Sequence, residues 1–109
     1  MLDFKQLFLF VLAAFLHALA TAQTPAGETF ALEQVKRGAE TFATFCTPCH
    51  GERMNNPDLF NLKEFPRDQR SRFINSVTNG KNAMPPWRGQ LKPEEIEALW
   101  AYVYTGEKN

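Results

Sequence analysis

Five consecutive residues, Cys46-Thr47-Pro48-Cys49-His50, constrain this chain more than any other feature. Cys-x-x-Cys-His sets two thiols and an imidazole side by side, and that string is the attachment signature of a c-type haem. The spacing follows from the chemistry. Two thiols separated by two residues can add across the vinyl groups of neighbouring pyrrole rings, and the imidazole that follows at once is held under the iron as an axial ligand.

Two other chemistries share parts of this string. Cys-x-Pro-Cys occurs in thioredoxin-like thiol-disulfide oxidoreductases, where the first Cys opens a helix after a strand and attacks as a thiolate. Here Val35, Gly38, Ala39, Phe42, Ala43 and Cys46 recur at steps of three and four, the period of an amphipathic helix that ends at the motif. Zinc needs four ligands, and the chain holds only these two Cys, His50 and His17.

His17 belongs to a segment of another kind. Leu7 to Leu16 is an unbroken apolar run, preceded by Lys5 and followed by Ala20-Thr21-Ala22, a small-x-small pattern of the kind signal peptidases cleave. Residues 1–22 are expected to be a cleaved export signal, giving a periplasmic protein. An uncleaved anchor is the alternative, although the run is shorter than the roughly 20 apolar residues of a spanning helix, and no stable membrane insertion is expected after cleavage. Four of the ten Phe fall within this segment, so much of the apparent hydrophobicity never reaches the folded domain. One small domain remains. A chain of that size buries a modest core by itself, and a large apolar cofactor at its centre would stabilise it.

Twelve basic and twelve acidic side chains balance, which gives nucleic-acid binding no support. Their distribution is uneven. From Arg67 to Lys92 there are six basic residues against the single acid Asp68, whereas Glu94, Glu95 and Glu97 crowd the segment that follows.

In the mature chain, 23–29 reads as a flexible lead with Pro25 and Gly27, and 30–109 as the folded domain. A first helix is expected from about Phe30 to Phe45. Its Gly38 costs about 1 kcal/mol relative to Ala, which is best explained by another backbone passing close over it. A second helix is expected over Asp68 to Thr78, with Asp68 as its cap and Asn79-Gly80 as its break. The last begins at Pro93, carries Glu94, Glu95 and Glu97 at the positive end of its dipole, and presents Ile96, Leu99, Trp100 and Val103 on one face. Gly51 to Pro66 reads as loop, with a short helical turn around Leu59 to Leu62. No run of period-two alternation stands out, so the fold class is all-α.

Six-coordinate iron needs a second ligand, and two methionines remain after cleavage. Met54 follows His50 by only four residues, too short a tether to pass around the porphyrin. Met84 lies in Gly80-Lys81-Asn82-Ala83-Met84-Pro85-Pro86-Trp87, a stiff irregular loop that can present a thioether without helical geometry. Met84 is therefore the candidate axial ligand opposite His50. Core filling is the alternative for an isolated Met.

With these residues in place, the chain resembles the class I, single-haem bacterial cytochromes c. The likeness runs from Gly38-x-x-x-Phe42-x-x-x-Cys46 through the Cys46–His50 motif and the Met84-Pro85 turn to Leu99-Trp100-Ala101-Tyr102-Val103. It implies one covalently bound haem c, a small helical domain wrapped around it, and first and last helices that cross, with Gly38 and Phe42 meeting Trp100. It also implies a proline whose carbonyl accepts the His50 ring N–H. Pro57 is the nearest match, in a stretch that lacks the Gly-rich sequence of many relatives. Trp87 is a further candidate haem contact, with core packing as its equal alternative.

The resulting expectation is a periplasmic electron carrier with His50 and Met84 as axial ligands, and not an enzyme. The Asn79–Trp87 string is similar to small cytochromes that accept electrons from quinoprotein alcohol dehydrogenases. Expected partners are such a dehydrogenase as donor and an oxidase or another cytochrome as acceptor, with the carrier a monomer. Lys81 and Arg88 are expected near the exposed edge, extended by Lys92, Arg70 and Arg72. If Met84 does not ligate, an open iron site points to a gas sensor or a peroxidase-like protein.

Overall fold

The computed structural model describes residues 27–106, so the expected signal segment 1–22 lies outside the described residues. Among the described residues four α-helices make up the frame: α1 (Leu32–Phe45), the single turn α2 (Thr47–His50), α3 (Arg70–Asn79) and α4 (Pro93–Thr105). Short 3-10 turns at Glu52–Met54 and Leu62–Glu64 interrupt the long connection between α2 and α3. The described residues contain no strand, only an isolated bridge between Lys81 and Met84, which bears out the all-α expectation.

The centre of the fold is α4. Pro93 takes the first turn, and the Lys92 N–H donates to the Glu95 carboxylate at 2.7 Å, which satisfies one of the donors left open at a helix start. From Ile96 to Val103 all but the partly covered Glu97 are buried, because α4 is enclosed by α1 on one side and by α3 and the Phe65 segment on others. Trp100 has no exposed surface and packs against Phe65, Phe73 and Tyr104 with ring centroids 5.2–6.0 Å apart.

Gly38 is the point at which α1 crosses α4. A Cβ added there would lie 1.9 Å from the Ala98 carbonyl oxygen and 2.8 Å from the Tyr102 Cβ, so only glycine permits the approach. The close backbone expected from sequence is therefore present. Its aromatic partner differs: Phe42 meets Tyr102, with centroids 5.3 Å apart, and not Trp100. Ala98 and Tyr102 are four apart and share a face, whereas Trp100 stands two residues on, on the opposite side of the helix.

Three local boundaries also depart from expectation. Helix α3 starts at Arg70 after Gln69, without a side-chain cap, so Asp68 does not cap it. The turn expected around Leu59 to Leu62 forms at Leu62–Glu64, where Asn61 Oδ1 accepts the Lys63 N–H. Glu28, placed by composition in the flexible lead, is tied down. Its N–H donates to the Tyr104 hydroxyl, its carboxylate accepts the Trp100 Nε1–H, each at 3.0 Å, and the same carboxylate pairs with Arg70.

Candidate functional site

Helix α1 runs into the Cys-x-x-Cys-His motif with a single break at Cys46, whose carbonyl starts α2 by accepting the N–H groups of Cys49 at 3.2 Å and His50 at 2.8 Å. Residues three and four apart in a helix are neighbours on its surface, so Cys46, Cys49 and His50 share one face of this turn. Thr47 fixes the corner, its hydroxyl donating back to the Phe42 carbonyl at 3.3 Å. After His50, Gly51 turns the chain sharply with φ +79°.

Both thiols are unpaired; Cys46 is partly buried and Cys49 exposed. Burial, reinforced by neighbouring Cys49, pushes the Cys46 thiol up to about 11. A disulfide-exchange nucleophile needs the opposite, a depressed pKa that yields a thiolate near neutral pH, and no strand leads into the motif. Burial lowers the His50 pKa and favours the neutral imidazole that ligation requires. The His50 ring lies 6.3 Å from that of Phe42, and its Nδ1 is buried without a hydrogen bond from the protein. Pro57 therefore does not supply the acceptor that the resemblance implied. Pro57 is exposed, and Asn56 takes the position beside the motif: its N–H donates to the His50 carbonyl at 3.0 Å and its Nδ2 to the Cys49 carbonyl at 2.5 Å.

Met84 is held on a tight turn. Lys81 and Met84 exchange backbone hydrogen bonds at 3.0 and 2.9 Å, with Asn82 at φ +55° between them. Gly80, at φ +83°, lets the Met84 carbonyl come so close that a Cβ there would sit 2.8 Å from it. The far end of the loop is fastened to α3 by Trp87 N–H to Val77 carbonyl and Arg88 N–H to Thr78 carbonyl, at 3.0 and 3.3 Å. Trp87 then stacks edge-on against Phe45, the residue before Cys46, at 5.6 Å, so the two segments expected to carry iron ligands meet through this aromatic pair. Met54 is 2% exposed and belongs to the core. A cleft of about 450 Å³ lies next to the motif, lined by Met54, Asn56, Leu59 and other residues of the 54–64 loop, but by none of Cys46, Cys49, His50 and Met84.

These residues fit a covalently held haem. Two free thiols share one helical face with an imidazole whose burial favours the neutral, ligating form. Zinc finds no comparable set, since no three of His, Cys, Asp and Glu cluster to hold a metal ion among the described residues.

The fold and this motif define a class I, single-haem cytochrome c, in which haem c is covalently bound. The chain belongs to the cytochrome c family described as cytochrome C oxidase, cbb3-type, subunit III, which it matches over residues 33–103. Among curated proteins it is similar to a cytochrome c6 of Limnospira maxima, 38% identical over 63% of this chain and 89% of that one. It is also similar to a cytochrome c6 of Nostoc sp., 39% identical over 61% of this chain and 65% of that protein, just under two thirds of its length. The quinohemoprotein alcohol dehydrogenase ADH IIB of Pseudomonas putida is 30% identical over 78% of this chain, which spans only 13% of that enzyme. No solved structure matches significantly.

Three of the six basic residues between Arg67 and Lys92 serve the fold. Arg67 donates to the carbonyls of Tyr104 and Phe65, Arg70 pairs with Glu97 and Glu28, and Arg72 lies over the Phe65 ring at 4.6 Å. Arg70 and Arg72 nonetheless remain exposed, as do Lys81, Arg88 and Lys92, and Arg88 also donates to Asn79 Oδ1 at 3.1 Å. Sequence reasoning missed Asn56 and Glu28. Asn55-Asn56-Pro57 read as loop punctuation, and no local pattern signals partners six or seventy-odd residues away. No helix among the described residues is long and apolar enough to cross a membrane.

Proposed function

We propose that this chain is an exported, periplasmic one-electron carrier in which Cys46 and Cys49 hold the haem through thioethers and His50 and Met84 ligate its iron. The observation that carries this reading is the single helical turn bearing both thiols and the imidazole, joined through Phe45 and Trp87 to the turn bearing Met84. Haem c, when bound, supplies a reversible Fe(III)/Fe(II) couple. The protein's task is then to keep both ligand-bearing segments fixed. His50 rides on α2, tied to α1 through Cys46, and Met84 on a turn braced by Gly80 and α3. A thioether opposite imidazole raises the potential relative to two imidazoles.

The partners follow from surface charge and from the relatives. Lys81 and Arg88 flank the Met84 turn and suit a donor with an acidic docking face, and the likeness to a quinohemoprotein alcohol dehydrogenase supports a quinoprotein dehydrogenase in that role. An oxidase or another cytochrome is the acceptor. The test is a pair of spectra. Protein matured with the haem-attachment machinery should keep its haem through acid-acetone extraction, and its oxidised form should show the weak long-wavelength band of a thioether–iron bond, lost in Met84→Ala. Haem lost to acid-acetone would sink the attachment; a band that survives Met84→Ala and disappears in Met54→Ala would sink the ligand assignment.

A further inference from the structure

We propose that Asn56 is the positioning residue of the attachment turn, setting the His50 imidazole through the backbone in place of a hydrogen bond to the ring. The proposal rests on His50 being an axial ligand.

A helix of four residues does not sustain itself, and α2 spends its first carbonyls internally. Cys46 accepts from Cys49 and His50, and Thr47 accepts from the Gly51 N–H at 2.9 Å. The last two carbonyls, of Cys49 and His50, are the acceptors that a helix C-terminus leaves open. Asn56 takes both, one with its side chain and one with its backbone. Its amide is not free to flip, because Oδ1 accepts the Asp58 N–H at 2.9 Å and so turns Nδ2 toward Cys49. Gly51 makes the approach possible: a Cβ there would stand 2.9 Å from the Asn56 nitrogen.

The imidazole explains why this brace matters. A ligating His ordinarily gives its second ring N–H to a carbonyl or carboxylate, which fixes the ring plane. His50 Nδ1 has no such protein partner. The ring therefore inherits its setting from the backbone that carries it and from the Phe42 ring beside it. Because Asn56 grips Cys49 and His50 together, it also fixes one thioether anchor relative to the imidazole.

The experiment uses haem-loaded protein and two readouts: the haem-methyl proton shifts of the ferric form, which depend on the orientation of the imidazole plane, and the reduction potential. Asn56→Ala removes the side-chain grip. Asn56→Asp keeps the acceptor for Asp58 but loses the donor to Cys49, and decides the matter should Asn56→Ala fail to mature. Asn61→Ala is the control, since it removes an acceptor in the same loop, bonded to Lys63 at 3.0 Å, without touching the motif. Both Asn56 variants should rearrange the methyl shifts and move the potential, while Asn61→Ala leaves both at their original values. Asn56 variants with unchanged shifts and potential, or an equal change in Asn61→Ala, would overturn the proposal. Wild-type protein without covalent haem would instead overturn the assignment of the site, and the proposal with it.

Discussion

Replacing Gly38 by Ala tests the crossing on which the fold depends, and two effects of opposite sign compete in it. In an exposed helix interior the change would stabilise by about 1 kcal/mol through propensity alone. At the crossing, the new Cβ would sit 1.9 Å from the Ala98 oxygen and 2.6 Å from its carbonyl carbon, where ordinary contact begins at 3.4 Å. Neither neighbour is the flexible end of a side chain. Relief therefore needs α1 and α4 to separate by about 1.5 Å, which also loosens Phe42 from Tyr102. Overpacking of a close-packed interior costs about 1–3 kcal/mol, occasionally more, and a backbone clash of this depth belongs at or above the upper end. The net expectation is a loss of at least about 2 kcal/mol, which for a domain of this size lowers Tm by roughly 8–16 °C. Thermal unfolding of the haem-loaded protein, followed by circular dichroism and by the haem absorbance together, measures it. A Tm equal to or above that of the wild type would show that the helices do not approach as described.

Glu28→Ala should destabilise by about 1–3 kcal/mol in urea unfolding because it orphans the buried Trp100 N–H, and Glu28→Gln by less because an acceptor remains; equal losses would assign the effect to the half-exposed Arg70 pair, expected to be small. Gly80→Ala forces a side chain onto a φ of +83° against the Met84 carbonyl, a strain of about 1–3 kcal/mol, and should weaken the long-wavelength band and lower the potential; an unchanged band would separate the turn from the ligand. Lys81→Glu with Arg88→Glu should slow reduction by an acidic partner at low salt, with the spectrum intact, and the difference should fade as the screening length drops from roughly 30 Å at 0.01 M to 8 Å at 0.15 M. A rate indifferent to both salt and charge would point to apolar docking around Trp87.

What could be read from the sequence was what local chemistry encodes. Helix α4 announces itself by Pro93, three glutamates and the spacing of Ile96, Leu99, Trp100 and Val103, and its observed limits, Pro93–Thr105, follow those signals. Gly38 was legible as a local cost that some distant contact had to offset, although not which one. The choice between Trp100 and Tyr102 is a matter of helical phase, and when nearly every side of α4 is apolar the pattern carries no phase. Asp68 failed as a cap for a related reason: Ser, Thr, Asn and Asp favour caps on average, but here the chain enters α3 through Gln69, with φ −115° and no capping bond. The loop from Gly51 to Pro66 was recognised as a loop and no further. Its content lies in hydrogen bonds from Asn56 back to Cys49 and His50, and composition cannot report those.

The placement of α4 bears on the proposed electron transfer even though it contributes no ligand. A carrier works with little reorganisation when the two ligand-bearing segments keep their separation as the charge on the iron changes, yet here the segments proposed for that role, at His50 and Met84, lie 34 residues apart and belong to different elements. Helix α2 continues from α1, and the Met84 turn hangs from α3. Both α1 and α3 pack on α4, the first through Gly38 and Phe42 against Ala98 and Tyr102, the second through Phe73 against Trp100. The segments carrying His50 and Met84 are thus joined through α4, with Phe45 and Trp87 as a second link between them. On the proposed ligation, stiffness at the iron is then a property of the helix crossing, and a substitution at Gly38 or Tyr102 should reach the redox centre by altering that crossing.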